Sequence, residues 1–199
     1  MKTSIALFPE DSLLATQEAF TPAAFAEMYQ LYYTRVFNYV RYRCDDTATA
    51  EDLTAQVFER LLDRIHTFSP ERGPFSAWLF AIARNLVSGH RRAQRYRTWL
   101  SIDILHRWPS EEASPEEATL QNEAEAELLA AIGRLDERDR DLLGLKFAGQ
   151  LTNRQIAELT GLSESNIGVI LHRTIHRLRA TLGGHAEEHH SKQQQGAMP

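Results

Sequence analysis

A chain of 199 residues, 43% apolar and 25% charged, has room for one medium or two small globular domains. Its single cysteine excludes an internal disulfide framework and a multi-cysteine metal site, and no apolar run approaches the roughly 20 residues that span a bilayer. The net charge of −5 conceals a segregation: residues 22–110 carry 12 basic against 9 acidic side chains and residues 128–183 carry 8 against 6, whereas residues 111–127 hold 7 acids and no base. Two mildly basic blocks joined by an acidic strap are compatible with a nucleic-acid partner, which the total charge alone is not.

Residues 1–20 are poorly patterned, and Pro9-Glu10-Asp11 interrupts their apolar patch before a signal-peptide core forms, so a cytoplasmic location is expected. Thr21-Pro22 reads as a helix entry, a Thr cap followed by Pro at the first helical position. The helix should run to about Arg43, with enough aromatic and aliphatic residues between Phe25 and Val40 to pack on more than one neighbour. Thr47 is placed to cap a second helix to about His66, with Leu53, Val57, Leu61, Leu62 and Ile65 inward. Its outer face then shows Glu51, Asp52, Gln56, Glu59, Arg60 and Asp63.

Ser69 to Pro74 is a loop rich in helix breakers, and a third long helix starts at Pro74. From Arg84 onward that helix turns basic: Arg84, Arg91, Arg92, Arg95 and Arg97 fall within fourteen residues, among Asn85, His90, Tyr96 and Trp99 and without an acid. Arginines interleaved with aromatics suit a nucleic-acid strand, the cations neutralising phosphates and the rings stacking on unpaired bases. A solvated helix end favoured by the macrodipole would need fewer charges.

Residues 98–113 read as a flexible linker with an apolar knot from Trp99 to Trp108. Ser114-Pro115-Glu116-Glu117 is another helix start, and Asp136 is placed to cap the following helix, with Leu142, Leu143, Leu145 and Phe147 inward and Gly149 as a stop. Thr152 with Gln155 has capping-box spacing, and Thr160-Gly161-Leu162 then breaks a short helix at a residue suited to left-handed backbone. Ser163 caps the last helix, whose Ile167, Ile170, Leu171, Ile175, Leu178 and Leu182 share one face, while Ser165, Asn166, Val169, His172, Arg173 and His176 lie away from it. A compact helix–turn–helix with a small, polar and basic outer face is the geometry of a major-groove reader. Gly183-Gly184 should end it, leaving residues 185–199 as a disordered polar tail. The fold expected is all-α, with an extension at 1–20, a helical domain at 21–97, a linker at 98–113, a second helical domain at 114–184 and the tail.

By these residues the chain resembles the extracytoplasmic-function group of bacterial sigma factors, within the sigma-70 family. Ala50-Glu51-Asp52-Leu53-Thr54-Ala55-Gln56-Val57-Phe58 is similar to that group's AEDLTQEVF segment, and Phe75 to Asn85 to its FxxWLxxIARN pattern. A second block is similar from Leu135-Asp136-Glu137-Arg138 through Leu162 to Arg173. The resemblance implies a non-enzymatic factor, without cofactor or metal, that binds core RNA polymerase, recognises minus-10 and minus-35 promoter elements and promotes melting. It places polymerase binding on Glu51, Asp52, Gln56 and Glu59, and minus-10 contact on Arg72, Trp78, Arg84, Asn85, Arg91, Arg92 and Arg95. Minus-35 contact falls on Ser163, Ser165, Asn166, Val169, His172 and Arg173. An anti-sigma factor is an expected further partner.

Where the group often has Arg or Lys near the start of the recognition helix, this chain has Gly168 and Val169, so Arg173 becomes the principal groove contact and weak duplex affinity is expected in isolation. The main competing reading is a helix–turn–helix regulator with a helical sensor domain, which predicts a dimer on a palindromic site without polymerase. A helical adaptor would leave the arginine cluster without a use. An enzyme is disfavoured: His172 and His176 have the i, i+4 spacing of zinc ligands, but no Glu follows His172 as a metalloprotease motif requires and no third ligand is fixed.

Overall fold

The computed structural model describes residues 21–100 and 119–195, and within these it contains seven α-helices, two 3-10 turns and no strand. In chain order the helices are α1 (Pro22–Arg41), α2 (Thr47–Arg64), α3 (Phe75–Leu100), α4 (Thr119–Gly133), α5 (Glu137–Phe147), α6 (Asn153–Thr160) and α7 (Glu164–Gln195). The all-α expectation therefore holds over the described residues. Residues 1–20, the expected helix start at Ser114-Pro115 and the Ile102–Trp108 part of the apolar knot lie outside them.

Helix starts follow the local chemistry. Thr21 accepts a bond from the Ala24 N–H (3.2 Å) with Pro22 behind it, and Thr152 and Gln155 close a reciprocal capping box, at 3.2 and 2.7 Å. At α2 the cap is one residue earlier than expected: Asp46, not Thr47, accepts from the Thr49 N–H (2.7 Å), a bond that holds its carboxyl below the usual carboxylate range. Asp136 occupies the cap position of α5, but its side chain accepts no capping bond.

Packing corrects several other expectations. On α2, Leu62 is exposed and Phe58 is buried in its place, because α1 and α3 cover only the Val57–Phe58–Leu61 side. On α5, Phe147 is also exposed: the chain turns after Ala148, bonds Leu151 N–H to the Leu145 carbonyl (3.1 Å), and inserts Leu151 instead. Helix α3 extends to Leu100, so the first residues of the expected linker are helical. Helix α7 continues through Gly183 and Gly184 to Gln195, past the stop expected at those glycines. Neither glycine has positive φ, and without a left-handed residue a glycine weakens a helix by about 1 kcal/mol but does not end it. The following Ala, Glu, Lys and Gln are good helix formers.

Helices α1 to α3 form one three-helix group and α4 to α7 a second, with α7 in contact with α4, α5 and α6. Helix α5 also lies on α1, and α6 on α3, so that one apolar cluster runs from Met28 through Phe80 to Leu142, Ile156 and Leu171. A smaller one joins Ala131, Ile132, Leu135, Leu143 and Leu178. The approach of α5 to α1 depends on Gly144, where an added Cβ would meet the Tyr39 ring at 2.8 Å.

Candidate nucleic-acid interface

Gly161 takes a left-handed conformation, φ 75°, and donates its N–H to Ala157 O (2.8 Å), which ends α6 and turns the chain into α7. Ser163 accepts from the Asn166 N–H (3.2 Å), as a cap should. Of the six residues expected inward, Ile167, Ile170, Leu171 and Leu178 are buried and Ile175 and Leu182 are half-buried, while Thr174 joins the buried set. Ser163, Ser165, Asn166, Val169, His172 and Arg173 are all exposed, with Val169 at 49%. The His172 and His176 rings stand 4.8 Å apart, and His172, Arg173 and His176 share an open groove of about 660 Å³ with Arg138 and Arg177. Asp136 and Asp139 also line the groove, and Asp139 pairs with Arg138 and Arg177, which leaves Arg173 and the two histidines with the apolar Val169 as the groups of this face suited to phosphates and to a thymine methyl. Among the described residues no cluster of three or more His, Cys, Asp or Glu is disposed to hold a metal.

The outer face of α2 is as expected, with Glu51, Asp52, Gln56 and Glu59 all exposed along one side. They form a mainly acidic strip backed by the buried Leu53, Val57 and Phe58.

The arginine helix differs. Of the seven residues expected at the minus-10 element, Arg72, Asn85, Arg92 and Arg95 are exposed, and Trp78 is half-buried in an aromatic cluster with Phe68 and Phe75, at 5.5 and 5.6 Å. Arg84, Arg91 and Arg95 are engaged by the second helical group. Arg84 Nε donates to Asp141 Oδ2 (2.8 Å) and its Nη1 to the Leu159 carbonyl (3.0 Å). Arg91 pairs with Glu137 (3.6 Å) while donating to the Arg43 carbonyl (2.8 Å), and Arg95 also binds Glu137. The Ser69–Gly73 loop and Trp78 face Gln155, Glu158 and Leu159 of α6 across an open cavity of about 320 Å³.

Beneath these pairs is a buried polar knot. The Tyr39 hydroxyl donates to Asp141 Oδ1 (2.8 Å) and accepts from Arg43 (3.3 Å), and Arg43 also binds Asp141 directly. Arg43 is 3% exposed and Asp141 7%, a depth at which an unpaired charge would be costly. Burial and then the Asp141 charge push the Tyr39 hydroxyl well above its ordinary pKa, so it stays a proton donor. Burial, with Arg91 nearby, lowers the pKa of Arg140 in the same seam.

Tyr39, Arg43, Glu137 and Asp141 are the site residues that sequence reasoning did not assign. One signal was legible, since Glu137 and Asp141 stand at i and i+4 on one face of α5. Their partners are about 40 to 100 positions away in the chain, beyond the reach of any local pattern.

A three-helix group with an acidic strip and an arginine helix, followed by a group ending in a helix–turn–helix, defines a class of promoter-binding transcription factor. Residues 28–97 match the family model for sigma-70 region 2, and residues 125–178 match that for sigma-70 region 4. The chain is 35% identical over 159 residues to the ECF RNA polymerase sigma factor BldN of Streptomyces coelicolor, covering 80% of this chain and 60% of that one. It is 30% identical over 158 residues to the ECF RNA polymerase sigma factor RpoE of Cereibacter sphaeroides, covering 79% and 85%. Its fold is similar to that of the sigma factor RpoE complexed with the anti-sigma factor NepR from Bartonella quintana, with TM-score 0.63, 20% identity and 80% and 96% of the two chains covered. It is also similar to CnrH in complex with the cytosolic domain of CnrY, with TM-score 0.62, 20% identity and coverage of 88% and 97%. The chain belongs to the sigma-70 family of RNA polymerase sigma factors, in its extracytoplasmic-function group.

Proposed function

We propose that the chain binds core RNA polymerase through the α2 strip of Glu51, Asp52, Gln56 and Glu59. On this reading it opens the minus-10 element with the Ser69–Gly73 loop and the start of the arginine helix, and reads the minus-35 duplex with α7. The observation that carries the reading is the α7 face: Ser163, Ser165, Asn166, Val169, His172 and Arg173 are exposed together on a helix held by a capped turn. A helix offered in that way enters a major groove without rearrangement. The division into domains at 21–97 and 114–184 belongs to the same proposal, and the matched regions at 28–97 and 125–178 support it.

On the same reading the factor acts in the cytoplasm and catalyses no reaction itself, which the similarity to sigma factors supports. Among the described residues no helix is long and apolar enough to cross a membrane. An anti-sigma factor is a further proposed partner, supported by the sigma factor RpoE of this fold, which is complexed with the anti-sigma factor NepR. In vitro transcription with purified core polymerase on a genomic promoter library tests the reading: initiation at a shared pair of elements is expected only when both proteins are present. A stable dimer on a palindrome, indifferent to polymerase in gel filtration, would replace it with the regulator reading.

A further inference from the structure

His172 and His176 stand one turn apart on the outer face of α7, both exposed, with ring centroids 4.8 Å apart and planes tilted by 54°. Among the described residues neither ring has a hydrogen-bond or ion-pair partner, so their nitrogens are uncommitted. Histidines at i and i+4 share a face because one helical turn brings the side chain back to the same side.

The separation of the rings matches a shared metal ion. An ion held about 2.0–2.1 Å from each imidazole nitrogen lies roughly 3.2 Å from each ring centroid, so rings meeting it at about 90–109° have centroids about 4.5–5.2 Å apart. The observed 4.8 Å falls inside that interval, and the pair needs no more than a change of ring orientation to share an ion.

The same open groove holds a spare carboxylate. Asp136 lines it with the two histidines, is exposed, and accepts no capping bond although it occupies the cap position of α5. Its oxygens are therefore available to a water on the ion, as outer-shell carboxylates are in metal sites. The other charges of the groove largely offset one another: Asp139 pairs with Arg138 and Arg177, which leaves Arg173 as the cation a bound ion must tolerate. Among the described residues no third His, Cys, Asp or Glu is placed to ligate directly, so water completes the shell.

We propose that His172 and His176 bind one divalent transition-metal ion of the class of Zn2+, Ni2+ or Cu2+, with Asp136 holding one of the waters that complete its shell. Imidazole nitrogen selects these ions over Mg2+ and Ca2+, which take oxygen ligands. The site lies on the face of α7 assigned to the minus-35 duplex but needs no DNA, so it goes beyond the sigma-factor reading and does not depend on it.

The test uses the full chain carrying His185→Gln, His189→Gln and His190→Gln, because His185 and His189 repeat the i, i+4 spacing. Calorimetry with Zn2+ in the absence of DNA gives the affinity, circular dichroism the helix content, and electron paramagnetic resonance with Cu2+ the nitrogen ligands. One Zn2+ site tighter than any other is expected, with a two-nitrogen Cu2+ spectrum and no binding of Mg2+ at the same concentration. His172→Gln and His176→Gln should each weaken Zn2+ by at least about tenfold, and the double variant little further, since a chelating pair acts as a unit. Asp136→Asn should weaken it by about tenfold through the water. All three side chains are exposed, so helix content should hold in every variant. No saturable Zn2+ binding, or unchanged affinity in either single histidine variant, overturns the site. Unchanged affinity in Asp136→Asn overturns the part given to that carboxylate.

Discussion

The outer face of α7 and the basic face of α3 have the same sequence character, polar and cationic residues opposite an apolar stripe, yet their surroundings differ. On α7, Arg173 and His172 are exposed and border an open groove. On α3, Arg84 and Arg91 are partly buried and, with Arg95, engaged by carboxylates from α5. Periodicity tells which side of a helix faces away from its own core. It does not tell whether another part of the chain has reached that side first.

Substitutions can break or sharpen this contrast. The largest effect is expected at the seam: Asp141→Ala leaves the buried Arg43 with the longer pair to Glu137 (3.5 Å) and removes an acceptor of Tyr39 and Arg84, costing about 3–5 kcal/mol in urea unfolding. Removing Arg173 from the open face should leave unfolding unchanged and weaken binding to a minus-35 duplex by about 1–3 kcal/mol, read by anisotropy. If Asp141→Ala unfolds no more easily than Arg173→Ala, the two faces do not differ as described.

A smaller loss, about 1 kcal/mol, is expected for Thr152→Ala, which opens the capping box of α6 and loosens the mount of α7 without touching α3. Thermal unfolding measures it, and duplex binding should fall with it. The smallest effect is one of pH. Burial, then the Asp46 charge, pushes the Cys44 thiol from 9.0 to about 11. Its folded-state pKa lies above the unfolded one, so its contribution is complete below pH 9 and is lost as the pH rises towards 11. The loss is less than about 1 kcal/mol near pH 9.5, and Cys44→Ala should flatten that part of the stability profile. At pH 8 the same thiol should label slowly, since it is buried and protonated.

What was legible in the sequence was whatever a few adjacent residues decide. The Thr21 cap, the Thr152–Gln155 box, the left-handed Gly161 and the buried stripe of α7 depend on neighbours within one or two turns, and the structure agrees at each. Leu62 and Phe147 were misplaced because inward and outward on α2 and α5 depend on which helices pack against them. The cap of α2 moved by one residue because Asp46 and Thr47 are both competent caps and only the backbone chooses. Gly183-Gly184 looked like a stop because glycine ends helices only in a left-handed conformation, which composition does not specify. The engaged state of Arg84 was beyond any local rule, since its carboxylate lies 57 positions away.

The mixed make-up of the seam between α5 and α1 gives it a temperature response. Its apolar part, around Tyr39, Phe80 and Leu142, holds less firmly as water cools. Its ionic part, the arginines on Asp141 and Glu137, becomes cheaper to dehydrate as water warms. Both trends have the same sign, so cold should loosen the joint and moderate warming tighten it.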